Sequence, residues 1–209
     1  MGNHIYTIGR EFGSGGLEIG RLLAERLGVP LYDKELLSKA AKDSGFCQEI
    51  IEHHDEKPTS SFLYSLVMDT YSGGSYSSAP FLDMPLNHKV FLAQFDTIKK
   101  LAEQESCVIV GRCADYALAD YPDCLNVFVR ADLSDRIHWV SQQKDLTENK
   151  AKDLIQKMDK QRSSYYNYYT CKKWGDARSY DLTLNTSKLS HEACVDIILE
   201  YRKRMNKNK

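Results

Sequence analysis

The strongest constraint on the fold is a strand, a glycine-rich loop and a helix that follow one another over residues 5–27. Residues 5–8 are typical of a buried strand, and residues 17–27 place apolar side chains at helical spacing. The loop at 9–16 is rich in small residues, which let backbone N–H groups converge on one point. The helix that follows adds the positive end of its dipole to that point. This order of elements predicts a phosphate site.

The loop departs from the common P-loop, G-x-x-x-x-G-K-[ST], because Gly16 and Glu18 stand where that loop has its lysine and its hydroxyl residue. Two other interpretations stay open. A dinucleotide-binding loop needs a third glycine that is missing here, although Asp33 lies 20 residues after Gly13, where that fold has an acidic residue. The glycines also fit a tight turn that binds nothing.

Composition excludes several classes of protein. A chain of 209 residues accommodates one α/β domain, and its net charge of −1 argues against general nucleic-acid binding. No apolar run approaches the roughly 18 residues of a membrane span, so no membrane association is expected. The six cysteines form no C-x-x-C pair, which predicts reduced thiols, no zinc site and a cytoplasmic location.

Apolar strands alternate with helices along the chain. Strands are predicted at 5–8, at 31–33, at 106–110, at 124–129 and at 180–184. Helices are predicted at 17–27, at 34–42, at 88–105, after Asp132 as N-cap, at 148–169 and from 190 onward. The strands are continuously apolar, as in a parallel sheet that is covered on both faces. We therefore predict an α/β fold of three layers, α/β/α, with a mostly five-stranded parallel sheet.

Ligands bind at the carboxyl ends of the strands in such sheets, and polar residues follow these strands. Asp33 follows the second strand, Arg112 the third, and Asn185 with Thr186 the last. An unpaired guanidinium is costly beside a buried strand, so Arg112 is predicted to be functional, with a structural ion pair as the alternative. Asp33 is predicted either to bind Mg²⁺ through a water molecule or to be the N-cap of the next helix.

Six motifs carry a family resemblance over nearly the whole chain. They are the segment 5–27, Tyr32-Asp33, Val110-Gly111-Arg112, Pro122-Asp123, Asp159-x-x-Arg162 and the segment 180–187. Together they resemble the cytidylate kinase-like family of P-loop kinases, and 165–176 resembles a less-studied branch of it. The resemblance implies one domain over 1–209, with a core at about 1–47, 88–135 and 180–209. It also implies a helical acceptor-binding insertion at about 48–87, and a lid with a long helix at about 136–179.

The resemblance implies ATP-dependent phosphoryl transfer to a nucleoside monophosphate, CMP or dCMP by preference, with ATP as co-substrate and Mg²⁺ as cofactor. It assigns the ATP phosphates to Arg10, Glu11, Phe12, Gly13, Ser14, Gly15, Gly16, Leu17 and Glu18. It assigns the acceptor to Asp33, Arg112, Asp159 and Arg162, the adenine loop to Asn185 and Thr186, and the metal to Glu18 and Asp33. The catalytic cations would be Arg10, Arg112, Arg136 and Arg162, because arginine grips phosphate in two bonds and stays charged.

The chain also departs from cytidylate kinase. Cys113 stands at the acid of the Gly-Arg-Asp motif, and Ile155 stands where a further arginine is usual. We predict that Arg10, or a lid cation such as Arg136, supplies part of the missing lysine's charge. Two alternatives remain: a nucleotide- or phosphate-binding regulatory module without chemistry, and a kinase that acts on a non-nucleotide small molecule.

Three further segments give weaker signals. The tyrosines of 162–178 fit either a nucleotide path or, by preference, packing of a helix onto the sheet. Exposed aromatic rings at 165–169 would suit a homodimer contact. The serine- and glycine-rich stretch 71–80 predicts a mobile loop, and the basic end at 202–209 predicts a solvated helix terminus.

Overall fold

The computed structural model describes residues 3–33, 36, 39, 42–43, 45, 55–56 and 85–207. Its elements are β1 (Ile5–Arg10), α1 (Gly16–Leu27), β2 (Leu31–Tyr32), α2 (Leu86–Gln104), β3 (Cys107–Val110), α3 (Ala114–Ala117), β4 (Cys124–Arg130), α4 (Leu133–Lys144), α5 (Glu148–Thr170), a 3₁₀ turn (Ala177–Ser179), β5 (Leu182–Asn185) and α6 (His191–Lys207). The predicted loop 71–80 and nearly all of the predicted insertion 48–87 and helix 34–42 lie outside the described residues.

The five strands form one parallel sheet in the order β2-β3-β1-β4-β5. The central strand β1 pairs through Ile5 with Cys107 of β3 and with Cys124 of β4. Parallel neighbours need crossover connections, and those helices cover the two faces of the sheet. The predicted three-layer α/β/α fold is therefore confirmed. It brings the carboxyl end of β1 to the middle of one sheet edge.

Helices on both faces bury the sheet. On one face, Ile19 and Leu23 of α1 and Ile198 of α6 pack with β1 and β4. On the other face, Ile98 and Leu101 of α2 pack with β1 and β3. Because α1 begins directly after the glycine loop, its burial in this core fixes where the loop sits.

The tyrosines of α5 belong to the core. Tyr165, Tyr166 and Tyr169 are buried, and the ring of Tyr169 stacks on Phe91 with centroids 4.0 Å apart. Their placement agrees with the packing interpretation. Tyr168 is the exposed ring of the run, so the aromatic surface expected of a homodimer is much smaller than the sequence implied, and the homodimer stays a prediction.

One local expectation was wrong, and a second holds in part. Asp132 is the N-cap residue of α4, but its side chain makes no capping bond, because Oδ1 instead accepts from Nδ2 of Asn185 at 3.3 Å. The basic end is a helix terminus, since α6 continues to Lys207, and Lys203 and Arg204 are exposed. Arg202 within it is buried and donates to the carbonyl of Asp123 at 2.8 Å.

No helix in the described ranges is long and apolar enough to cross a bilayer. The described cysteines are free thiols, and most of them are buried. Burial raises the pKa of Cys107 and of Cys124 to about 12, which keeps both thiols protonated at neutral pH.

Candidate functional site

The glycine loop forms an open ring of backbone donors at the end of β1. Gly13 and Gly15 have φ of 79° and 75°, in the left-handed region that favours glycine. Within the described chain, the N–H groups of residues 13 and 15–18 have no acceptor. They lie at the N-terminus of α1, where the helix dipole favours an anion. The predicted phosphate loop therefore has free donors in the structure.

Buried polar contacts attach this loop to the α4–α5 hairpin. The N–H of Phe12 donates to Asp159 Oδ1 at 2.7 Å, and the other oxygen of Asp159 lies 2.5 Å from Nη1 of Arg136. Nη1 of Arg136 also reaches the carbonyl of Phe12 at 3.3 Å. Asp159 and Arg136 thus hold the loop in place, and their roles in acceptor binding and catalysis stay predictions.

The other side of the loop is held by the ends of β4 and β5. A carboxylate oxygen of Glu11 accepts from the N–H of Ala131 at 3.1 Å, and the hydroxyl of Thr186 donates to the carbonyl of Ser14 at 2.9 Å. Burial raises the pKa of Glu11, although the Ala131 N–H and the charge of Arg136 act against that rise. The loop is therefore held from both sides by contacts within the protein.

His191, the first residue of α6, lies against Gly15 so closely that a Cβ on Gly15 would overlap the imidazole ring. Together with Trp139 and Thr186, His191 lines a recess of about 130 Å³ beside the glycine loop. Thr186, predicted in the adenine loop, lines this recess, whereas Asn185 does not.

A methyl group on Gly15 should therefore weaken binding of the ATP that the family resemblance implies. Gly15→Ala and Gly28→Ala both place an L-residue at positive φ, which costs about 1–2 kcal/mol. Gly28 has no neighbour within 4 Å of the added carbon, whereas Gly15→Ala must also displace His191. We expect Gly15→Ala to lose at least as much stability as Gly28→Ala, and ATP binding to weaken at least tenfold, or by about 1.4 kcal/mol, in Gly15→Ala alone. Calorimetric titration measures this difference, and equal affinities would contradict it.

The stem of Arg10 occupies the space of the missing lysine. A Cβ built on Gly16 would lie 2.5 Å from Cβ and 3.1 Å from Cγ of Arg10. Real side chains do not tolerate such distances, so a lysine at 16 and the present Arg10 exclude each other. The guanidinium of Arg10 lies against Gly111 at the end of β3 and pairs with Glu56 at 2.8 Å.

A strained turn presents Arg112. Residues Gly111, Arg112 and Cys113 have φ of 78°, 52° and 54°, three successive left-handed conformations. Such a conformation is costly for residues other than glycine and persists only where the surroundings enforce it. The turn directs the guanidinium back to the carbonyl of Val110 at 2.9 Å and into a cluster of carboxylates.

Three arginines and three carboxylates form one buried cluster. Arg112, whose side chain is 4% exposed, pairs with Asp33 and, at 3.0 Å, with Asp55. Glu56 pairs with Arg10 and, at 3.4 Å, with Arg162. The cluster joins the ends of β1, β2 and β3 to the long helix α5.

The charges in this cluster shift one another's pKa values. Burial disfavours the Glu56 carboxylate, but Arg10, Arg162 and Arg112 outweigh burial and hold the pKa of Glu56 well below its usual range. Burial and the neighbouring charge of Arg10 lower the pKa of Arg162 to about 10. Burial raises the pKa of Asp55 despite its pairing with Arg112. Glu56 is therefore ionised at neutral pH.

Sequence reasoning missed Asp55 and Glu56. Both lie in the stretch predicted as an acceptor-binding insertion, and nothing in their spacing distinguishes them from surface acids. Their pairing with Arg10 and Arg112 identifies them as the residues of this stretch that lie at the site.

A cavity of about 210 Å³ joins the loop to part of this cluster. Its walls include loop residues 10–13 and 15–18, together with Asp33, Trp139, Lys144 and Arg162. Glu18 and Asp33, the predicted metal ligands, thus face one space. Among the described residues no group of three or more metal-ligating side chains is found, and Mg²⁺ in kinases generally uses only one or two carboxylates besides waters and phosphates.

The structure places both departures from cytidylate kinase at buried positions. Ile155 is buried between α4 and α5 with Val140 and Ala151. Cys113 is buried among Phe91 and the α5 tyrosines. Ile155 thus belongs to an apolar cluster in which a charged side chain would be unpaired, whereas Cys113 also lines the pocket of Arg10, Glu56 and Arg112.

The parallel sheet, the glycine loop and the arginine-rich strand ends define a protein with a P-loop kinase fold. The model of the cytidylate kinase-like family matches residues 5–188, and the chain belongs to that family. An uncharacterized protein from Eubacterium ventriosum is 32% identical, with a TM-score of 0.72 over 96% of this chain and 99% of that one.

More distant structures share the fold. Shikimate kinase from Bacteroides thetaiotaomicron is 13% identical, with a TM-score of 0.53 over 96% of this chain and 98% of that one. Shikimate kinase from Acinetobacter baumannii, in complex with shikimate, is 14% identical, with a TM-score of 0.50 over 100% and 96%. No curated protein matches the chain. The family assignment favours the phosphate-loop interpretation over the dinucleotide-binding one.

Proposed function

We propose that this protein transfers the γ-phosphoryl group of ATP, with Mg²⁺, to a small acceptor of the CMP or dCMP type. The observation that carries the proposal is the cavity in which the free N–H groups of the glycine loop face Asp33 and Arg162. Phosphoryl transfer needs donors and cations around the phosphates, in-line positioning and exclusion of water, and little covalent chemistry.

On the donor side, the loop N–H groups would bind the ATP phosphates. The neighbouring recess of Trp139, Thr186 and His191 would take the adenine, since it adjoins the loop and offers an aromatic face. Glu18 and Asp33 would hold Mg²⁺, through water where the carboxylates do not reach it directly.

On the acceptor side, Arg10, Arg112 and Arg162 would bind the acceptor phosphate. In the structure each of these guanidinium groups is paired with a carboxylate from Asp33, Asp55 or Glu56. A phosphate would have to replace one of these carboxylates, and Glu56 is the candidate because it lies between Arg10 and Arg162. Like the oxygens of a phosphate, the ionised oxygens of Glu56 are negatively charged and accept hydrogen bonds from arginine.

The same pairing favours a second candidate, a kinase that phosphorylates the hydroxyl of a non-nucleotide small molecule. The cluster is already neutral, with three arginines against three carboxylates, so it does not need an anionic acceptor. Asp33 lines the cavity and would accept the proton that a hydroxyl loses when its oxygen attacks the γ-phosphorus. A CMP phosphate is already ionised and needs no such base.

The test is ADP formation by the purified protein with ATP and Mg²⁺ against a panel of nucleoside monophosphates and hydroxy acids. Arg112→Lys keeps the charge but loses the paired bonds of the fork, so turnover should fall about 10²–10³-fold. Arg204→Lys changes an exposed arginine and serves as the matched control. Nucleotide binding without turnover for any acceptor would instead support the regulatory module.

A further inference from the structure

The cations that the family resemblance suggests near the glycine loop are already bound to other groups. Arg10 and Arg162 share Glu56, and Arg112 pairs with Asp33 and Asp55. Arg136 is buried against Asp159 beneath the loop. A triphosphate at the loop N–H groups still needs a positive charge near its outer end, because donors alone leave most of its charge unbalanced.

Lys144 lines the same cavity as the loop residues 15–18 and lies at the last position of α4. Three basic side chains line that cavity in the described chain, and Arg10 and Arg162 are the two with an ion pair to a described residue. Lys144 is exposed and has no such pair. It is therefore the cation of this cavity that is available to a ligand.

The backbone around Lys144 is well fixed although its ammonium group is free. Asp145 ends α4 in the left-handed conformation, with φ of 50°, and the N–H of Leu146 returns to the carbonyl of Ser141 at 3.0 Å. Leu146 packs with Val140 in the core of the α4–α5 hairpin. The stem of Lys144 thus starts from a defined helix end, and four rotatable carbons carry the charge toward the cavity.

We propose that Lys144 binds the outer phosphate of the donor and replaces the lysine that the glycine loop lacks. The inference rests on the proposed function, because it names the cation of the same donor site. The charge enters from the hairpin that faces the loop, so Gly16 can stay without a side chain and Arg10 can keep its pair with Glu56. A lysine suits this position because it is a compact point charge that forms charge-assisted bonds without the planar geometry of arginine.

Inorganic tripolyphosphate and ATP, titrated into the full chain by calorimetry, test the proposal. Lys144→Gln removes the charge, and we expect both ligands to bind about tenfold to a hundredfold more weakly, the range of one charge-assisted hydrogen bond. Adenosine binding should not change. Lys144→Arg should keep most of the tripolyphosphate affinity, and Lys152→Gln, an exposed lysine of α5 that does not line the cavity, should bind like wild type.

The outcomes separate this proposal from the proposed function. If Lys144→Gln binds tripolyphosphate as wild type does, or if wild type does not bind it, Lys144 is not the donor-site cation. If wild type binds tripolyphosphate through Lys144 and never forms ADP, the kinase activity fails while the phosphate site stands. If wild type forms ADP and Lys144→Gln has the same KM for ATP as wild type, only the role of Lys144 is overturned.

Discussion

Glu56→Gln is expected to lower the free energy of unfolding by about 3–5 kcal/mol at pH 7, the effect of breaking a buried ion pair by removing one partner. The carboxylate of Glu56 lies 2.8 Å from Arg10 and 3.4 Å from Arg162, and its side chain is 11% exposed. The amide of glutamine occupies the same volume but carries no charge. Two buried guanidinium groups would then lack their counter-ion. The resulting loss of unfolding free energy is larger than the about 0–1 kcal/mol that an exposed ion pair contributes.

The loss of unfolding free energy in Glu56→Gln should be larger at neutral pH than at acidic pH. The folded-state pKa of Glu56 lies below its ordinary value of 4.5, so ionised Glu56 stabilises the folded state above that value. The stabilisation is lost as the pH falls below 4.5 toward the folded-state pKa. The difference in unfolding free energy between wild type and Glu56→Gln should therefore be full near pH 7 and shrink below about pH 4.5. Asp55, whose pKa burial raises, has the opposite dependence, but it is present in both proteins.

Urea unfolding at several pH values measures this difference. Glu200→Gln is the matched control, because Glu200 pairs with Arg204 at 2.7 Å on an exposed helix surface. Exposed pairs contribute about 0–1 kcal/mol, so this control should unfold nearly like wild type at every pH. A Glu56→Gln loss under 1 kcal/mol, or one that does not change with pH, would show that Glu56 is not held in the cluster.

The fold was predictable because local patterns determine it. Five continuous apolar strands separated by amphipathic helices leave few arrangements other than a covered parallel sheet. The glycine loop was predictable for the same reason, since its neighbours in sequence are its neighbours in space. Arg112 and Asp33 were also found, because the carboxyl ends of parallel strands meet at one edge.

The partners of those residues were not predictable from the sequence. Glu56 meets Arg10 across 46 positions, and Asp159 meets Phe12 across 147, and no periodicity connects such pairs. Charge type alone also did not show that Arg136 is buried beneath the loop and paired with Asp159. Lys144 gave no signal, because one more lysine on an exposed helix is typical of a solvated surface.

Gly16→Lys restores the lysine of a common P-loop and should nevertheless reduce ATP turnover about 10²–10³-fold, the effect of losing one preorganised charge stabiliser. Any side chain at 16 starts 2.5 Å from Cβ of Arg10, so that stem must move. The displaced guanidinium then leaves Glu56. We expect a stability loss of at least about 1–3 kcal/mol beside the loss of turnover, because the broken pair of Arg10 with Glu56 adds to the cost of overpacking.

Steady-state ADP formation and thermal unfolding of three variants distinguish the steric effect of a side chain at position 16 from the effect of its charge. Gly16→Ala adds the clashing carbon without an amine, and it should lose turnover as Gly16→Lys does. The double variant Arg10→Gly with Gly16→Lys removes the stem that blocks position 16, and it should recover stability relative to Gly16→Lys alone. A loop that had merely lost its lysine would gain activity in Gly16→Lys, and such a gain would show that this site is degenerate. Lower turnover would instead show that the site depends on the present position of Arg10, which leaves no room for a lysine at position 16.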